Sequence, residues 1–157
     1  MTADPIAVNG WRLYAHRLFL EQLAALVHEV ERLRERDADG YRRKPAAKRL
    51  AAIRKLTMRE IPADPASPAY RLGKTIGGEH AHWRRAKFYQ RYRLFFRFHS
   101  EARIIVYAWV NDDETLRTYG AADDAYAVFR RMLEAGDPPG SWEALVAAAR
   151  PVQGEGN

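Results

Sequence analysis

With 157 residues, 47% hydrophobic and 29% charged, the chain is long enough for one domain with its own core. It has no cysteine, which excludes disulfides and thiolate metal sites. No apolar run nears the roughly 20 residues that cross a bilayer, and Met1–Gly10 lacks the basic start and apolar block of a secretory signal, so a cytoplasmic protein is expected. The net charge of +6 is unevenly spread. Eight basic residues face one acid between Tyr70 and His99, thirteen face six between Arg12 and Arg59, and from Ser100 onward five face ten. A basic body with an acidic end suggests a polyanion-binding face; a plain solvated surface is the competing explanation.

Arg12–Ala15 alternates as a short opening strand. Phe19, Leu23, Leu26, Val27, Val30 and Leu33 then recur at helical spacing, which predicts a helix over Arg17–Arg36, broken by Asp37, Asp39 and Gly40. A second helix is expected from Tyr41 or Pro45 to Ile61, with Leu50, Ile53 and Leu56 or Thr57 buried and Pro62 as its stop. The middle of the chain changes period. Trp83–Tyr89 reads as a strand with Trp83, Arg85, Lys87 and Tyr89 on one face. In Arg91–Phe98, Tyr92, Leu94, Phe96 and Phe98 point one way and Arg91, Arg93, Phe95 and Arg97 the other. Arg103–Val110 is apolar on both faces, as a central strand would be. A third helix from Asp123 or Asp124 to Ala135, with Tyr126, Phe129 and Leu133 as its stripe and Gly136 and Pro138-Pro139 as its stop, and a short last helix capped by Ser141 complete an α+β domain.

The basic strands carry the main chemical signal. Joined by a tight turn at Tyr89-Gln90, which holds no glycine, they would bring Arg85, Lys87, Arg91 and Arg93 together. Like charges so close cost energy unless an anion sits among them, and arginine grips phosphate in a two-pronged way. Edge protection is the bland alternative, and one or two charges would suffice for it. Of the aromatic residues, Trp83, Tyr89 and Tyr92 lie near or on the sheet, where exposed rings could stack unpaired bases. Tyr107 and Trp109 are expected in the core. Tyr119, in the polar run Asn111–Gly120 past a strand end, suits either a catalytic side chain or a loop anchor.

Other chemistries find less support. His80 and His82, beside Glu79, would need further ligands to hold zinc, so no metal is assigned. His82 or His99 could carry a proton near neutral pH. Gly73–Gly78 matches neither a Walker loop nor a dinucleotide fingerprint, and Lys74 there is better suited to meeting a phosphate. No cofactor is indicated. Asp112, Asp113 and Glu114 read as a polar turn rather than a two-metal centre. The second helix, with Lys48, Arg49, Arg54 and Lys55, is the one candidate for reading DNA bases, and a packing or partner surface is the alternative.

A set of motifs then resembles a known family. These are Val8-Asn9-Gly10-Trp11, Leu13-Tyr14-Ala15-His16, Ser67-Pro68-Ala69, Arg71, Gly73-Lys74, Trp83, Arg85, Lys87-Phe88 and Arg91–Arg97. The series continues with Trp109, Asn111-Asp112, Thr115-Leu116-Arg117-Thr118-Tyr119-Gly120, Asp124-Ala125-Tyr126 and Trp142-Glu143. Over residues 8 to 145 the chain is similar to YhaV toxins, within the RelE-like superfamily. The resemblance implies a single toxin domain over 8–150 with flexible ends at 1–7 and 151–157. Its fold would be two N-terminal helices packed on a twisted antiparallel sheet, with C-terminal helices. It implies a metal-independent endoribonuclease that cleaves mRNA, free or on the ribosome, and so blocks translation and growth. The implied partner is a PrlF-type antitoxin with an AbrB-like swapped-hairpin DNA-binding domain, through which operator DNA would be reached; no membrane is involved. A non-catalytic RNA- or ribosome-binding module is the alternative.

RNA carries its own nucleophile, the 2′-hydroxyl, so such an enzyme must remove that proton, neutralise the phosphorane and protonate the leaving 5′-oxygen. Arg85 and Arg93 are expected to clamp the scissile phosphate, with Arg117 joining from its loop. Lys87 or Tyr119 is the expected base, favoured in its deprotonated form by neighbouring cations, and His82 the reserve. Lys74, Trp83, Arg84, Arg91 and Arg97 are the expected RNA-binding residues.

Overall fold

Ala7–Val8 (β1) turns through Asn9-Gly10, both with positive φ (50° and 81°), onto Trp11–His16 (β2). This is the Asn-Gly hairpin, in which a two-residue turn of that hand matches the twist of the strands. The computed structural model describes residues 4–111 and 125–153. Arg117, Tyr119, the Asp112–Glu114 turn and the expected helix start at Asp123 or Asp124 lie outside the described residues.

His16 ends β2 and begins α1 (Arg17–Arg36), because its Nδ1 accepts the Leu18 N–H at 3.2 Å as an N-cap. α1 closes at Asp37, whose carboxylate accepts the Gly40 N–H at 2.9 Å. Pro45 starts α2 (Pro45–Lys55), and Ala46, Leu50 and Ile53 form its buried stripe. The helical run continues to the expected end and just past it: a π-turn over Leu56–Glu60 carries α2 into a last turn, Ile61–Ala63, which contains Pro62. The irregular stretch is pinned: the Tyr107 hydroxyl donates to the Thr57 carbonyl at 2.5 Å, and the Thr57 hydroxyl donates to the Ile53 carbonyl at 2.9 Å.

Arg84–Phe88 (β3), Tyr92–His99 (β4) and Ile104–Val110 (β5) follow, then α3 (Ala125–Glu134), α4 (Trp142–Ala148) and Ala149–Pro151 (β6). The sheet order is β1-β2-β5-β4-β3, with β6 beside β2. The antiparallel meander expected from the period-two stretches holds for β3, β4 and β5. The sheet as a whole is mixed, because β2 pairs with β5 in parallel. The chain leaves β2 through two helices and returns by the hairpin, the long crossover that parallel pairing requires.

Two cores result, one on each face. Phe19, Leu26, Leu50 and Ile53 of α1 and α2 pack with Leu13, Leu94, Phe96, Ile105 and Tyr107. Val128, Phe129, Met132 and Leu145 of α3 and α4 pack with Trp83, Phe95, Val106 and Trp109. A bulge at Ala108, where Phe95 faces Trp109 but Phe96 faces Tyr107, keeps Phe95 and Trp109 on the same side. The termini, expected to be free over 1–7 and 151–157, are tied as far inward as Ile6 and Val152. The Ile6 N–H donates to the Val152 carbonyl at 3.0 Å, and the Val152 N–H donates to Leu13 at 2.9 Å. Among the described residues no helix is long and apolar enough to cross a membrane.

Candidate active site

Period-two alternation puts Arg85, Lys87, Arg93 and Phe95 on one face of the β3–β4 hairpin. The register sets Lys87 opposite Arg93 and Arg85 opposite Phe95. On that face an aromatic block is already in place. Phe129 stacks on Phe95 at 4.2 Å and on Trp109 at 5.7 Å, and Trp83 meets Phe129 edge-on at 4.9 Å. This block fixes the first turn of α3. It brings the Tyr126 ring edge-on to Phe95 at 5.9 Å, with the phenol directed at the hairpin.

The two arginines meet there. Arg85 Nε donates to the Tyr126 oxygen at 3.0 Å and Arg93 Nε donates to the same atom at 3.1 Å. Each guanidinium is held a second time by backbone. Arg85 Nη1 donates to the Ala69 carbonyl at 2.9 Å, and Arg93 Nη1 donates to Gln90 at 2.6 Å and Tyr92 at 3.0 Å. With Nε and Nη1 engaged, the Nη2 amino group of each arginine is the one with no hydrogen bond among the described residues. No carboxylate is paired with either arginine among the described residues. Burial pushes the Tyr126 phenol up, but the hydrogen bonds and charges of Arg85 and Arg93 outweigh it, and the phenol ends below its ordinary range.

Asn111 holds the mouth of the hairpin. It is buried; its Oδ1 accepts the Arg93 N–H at 2.6 Å and its Nδ2 donates to the Arg91 carbonyl at 3.0 Å. One side chain thus continues the β4–β5 ladder past the end of β5. Sequence reasoning missed both Tyr126 and Asn111 as site residues. Tyr126 lies in an apolar helical stripe, and its one signal is a hydroxyl in that stripe at the helix start. Asn111 looks like the first residue of a polar loop.

The remaining expected residues divide. Lys87 is exposed opposite Arg93 with no partner among the described residues. Arg91 is exposed at the hairpin tip, its guanidinium over the Tyr92 ring at 5.4 Å. Lys74 is exposed in its glycine-rich loop, and His82 is exposed just before β3, without a described contact to the arginine pair. Arg84 points to the opposite face, over Phe98 at 5.5 Å, and donates to the Ala81 carbonyl at 3.2 Å. Burial, then the charge of Arg71, hold its pKa low. Two expectations need correction. Trp83 is only 1% exposed, packed into the aromatic block, and has no free face for a base. Arg97 is half-buried between the rings of Trp83 (5.6 Å) and Trp142 (5.7 Å), with Nη1 donating to the Gly140 carbonyl at 2.7 Å, so its charge serves the core. His80 faces Glu79 at 3.7 Å, and no group of three metal-ligating side chains occurs among the described residues.

Residues 13–150 match a family model described as a toxin with endonuclease activity, of a toxin–antitoxin system. Three curated relatives are each 50% identical over 143 residues, covering 90% of this chain and 93% of the relative. They are Toxin YhaV of Escherichia coli O6:H1, Ribonuclease toxin YhaV of Escherichia coli K12 and Toxin YhaV of Escherichia coli O157:H7. No solved structure matches. A model covering most of the chain, together with relatives half identical over nearly all of it, leaves one assignment: this chain belongs to the YhaV family of toxin–antitoxin toxins with endonuclease activity.

Proposed function

We propose that the chain is a ribonuclease that cuts mRNA by attack of the ribose 2′-hydroxyl on the adjacent phosphate, without a metal, and thereby stops translation and growth. The observation that supports this best is the pair Arg85 and Arg93, locked through Nε and Nη1 with both Nη2 groups left over. Two amino groups on one face can take the non-bridging oxygens of one phosphate, and their charge offsets what develops in the phosphorane. Tyr126 orients both arginines through a single oxygen and lowers the cost of holding two cations together. The K12 relative's name, a ribonuclease toxin, points to the same polymer. RNA suits an enzyme of this kind because it brings its own nucleophile.

In this reading Lys87, opposite Arg93, or Tyr119 takes the 2′-hydroxyl proton, with His82 in reserve, and Arg117 adds a third positive charge to the phosphate. Lys74 and Arg91 extend the electrostatic footprint. The fold is RelE-like, and the protein works in the cytoplasm on free or ribosome-bound mRNA. A PrlF-type antitoxin with an AbrB-like swapped hairpin neutralises it and carries the pair to operator DNA.

The test is cleavage of a labelled mRNA, with and without ribosomes, by wild type, Arg85→Ala and Arg93→Ala. Loss of either charge should slow cleavage on the order of a hundredfold, and the wild-type products should end in a 2′,3′-cyclic phosphate. Wild-type rates in folded variants, or 5′-phosphate products, would refute the assignment.

A further inference from the structure

Beyond the clamp, the edge of β3 and the side of α2 enclose a groove of about 300 Å³. Ala51 and Ala52 of α2, with Leu56 of the π-turn, make its floor, and Phe88 and Tyr89 of the hairpin its aromatic wall. Lys55, Glu60 and Lys87 are its charged lining; Lys55 is 3.4 Å from Glu60, so Lys87, with no partner among the described residues, is the cation left over. Tyr89 is 54% exposed, the one large hydrophobic side chain so exposed among the described residues. Its backbone is unusual as well, because Tyr89 and Gln90 both hold positive φ, 47° and 62°. Bulky residues rarely accept that region, and where they do the surroundings over-determine them. Here the Tyr89 hydroxyl donates to the Lys48 carbonyl at 3.2 Å, which fastens the tip to α2 and sets the ring at the groove mouth.

We propose that this groove is a base-binding subsite, taking one unpaired base of the single-stranded RNA that flanks the scissile link, stacked on Tyr89. The proposal rests on the ribonuclease reading above and adds where the strand goes. Lys87 supplies the continuity: it lies opposite Arg93 in the clamp and lines the groove at the same time. A strand whose scissile phosphate lies on Arg85 and Arg93 crosses the sheet edge at Lys87, where the next phosphate meets a cation. The following base reaches an aromatic wall over a floor of small side chains. An aromatic wall with a cation beside it is the composition that holds single-stranded nucleic acid without demanding a sequence.

The test uses the full chain and a short, unstructured, fluorescent oligoribonucleotide, 2′-O-methylated throughout so that it cannot be cleaved. Anisotropy should show Tyr89→Ala binding about tenfold more weakly, the size of one base–aromatic stack, while Tyr89→Phe, which keeps the ring but loses its tie to Lys48, falls between the two. Replacing one base by an abasic site should cost wild type about the same factor and Tyr89→Ala almost nothing. Circular dichroism on both variants reports the fold. Equal affinities of wild type and folded Tyr89→Ala would overturn the proposal, as would an abasic penalty that persists in Tyr89→Ala. So would unchanged RNA binding with lost antitoxin binding, because the groove would then belong to the protein partner. Wild-type cleavage by Arg85→Ala sinks the phosphate clamp instead, and does so independently of the Tyr89 measurements.

Discussion

Arg93 reaches Tyr126 through Nε at 3.1 Å while its own backbone N–H is held by Asn111 at 2.6 Å. Side chain and main chain of one arginine are therefore fixed by different elements, α3 and the end of β5. Arg85, two residues along the partner strand from Lys87, uses the same phenol oxygen. A hydroxyl that accepts from two guanidiniums orients them as a carboxylate would, and while protonated it cancels neither charge. In the proposed reading, a neutral phenol as shared acceptor leaves both positive charges for the phosphate.

Tyr126→Phe should therefore act through the arginines. The ring remains to pack on Phe95, so the fold survives, but both Nε groups lose their acceptor. Cleavage should fall on the order of tenfold to a hundredfold, less than on loss of either arginine, and the loss should shrink strongly in an Arg85→Ala background, as expected for groups acting as a unit. The pH dependence has a definite sign. The folded phenol titrates below its ordinary value near 10, so its ionised form stabilises the fold. That contribution is complete above the unfolded value and is lost as pH falls through the folded one. The stability difference between wild type and Tyr126→Phe should widen as pH rises toward 10, read by chemical denaturation at a series of pH values. A difference that stays flat would mean that the phenol does not titrate against the two arginines.

Asn111→Ala removes two hydrogen bonds from one buried side chain, both to the backbone of the Arg91–Arg93 segment. About 1–3 kcal/mol of stability should go with it, the usual cost of leaving buried polar groups unpaired. Activity should fall further than stability explains, because the hairpin mouth that carries Arg93 loses its anchor. Denaturant midpoints alongside cleavage rates separate the two effects. A variant as active as wild type per folded molecule would reduce Asn111 to a structural role.

The arginine pair was legible because alternation is a local property. A period of two puts Arg85 and Arg93 on one face whatever else the chain does, and the tight turn makes them neighbours. Tyr126 was not legible, since its meeting with Arg93 joins residues 33 apart through the packing of Phe129 on Phe95 and Trp109. Helical periodicity assigned Tyr126 to a buried stripe, which is correct for its ring and silent about its hydroxyl. The parallel pairing of β2 with β5 escaped for a similar reason: Leu13 and Ile105 are both plain apolar strand residues, and nothing local says they are partners. Trp83 and Arg97 were misread together. Each looks like a nucleic-acid contact by residue type, and each is taken up by the other, cation over ring, in the core.

His16 gives the fold a sensitivity to acid. Its Nδ1 caps α1 by accepting the Leu18 N–H, which leaves the proton on Nε2, 3.4 Å from Asp137. Burial lowers its pKa, Asp137 and Glu21 pull the other way, Arg17 adds to the lowering, and the net shift is below 6.5. Because the folded state prefers the neutral ring, the stability His16 supplies is present above about pH 6.5 and is lost as pH falls through the lower folded value. Protonation of Nδ1 also removes the cap. His16→Asn keeps a capping oxygen and removes the titration, so its stability should lose less than wild type between pH 7 and pH 5, with thermal melts as the readout. Parallel curves for the two proteins would show that His16 does not carry the acid sensitivity.

Arg97 separates a charge that builds the core from one that binds RNA. Its guanidinium lies between Trp83 and Trp142, and its Nε is buried without a hydrogen-bond partner among the described residues. Burial lowers its pKa, Glu143 raises it, Arg84 lowers it, and the net shift is downward. A cation in that position gains from the two ring faces and from the Gly140 carbonyl, and it gives up hydration in return. Arg97→Ala should cost about 1–3 kcal/mol, because it empties the space between two indoles and removes the bond to Gly140. Arg97→Met, which refills the space with an apolar chain, should recover most of that loss. Neither variant, corrected for its folded fraction, should slow RNA cleavage more than about twofold, against the roughly hundredfold set for Arg85→Ala. If Arg97→Met folds as wild type and yet loses RNA affinity, the charge reaches substrate, and the phosphate path extends along β4 past Phe95 toward Trp142.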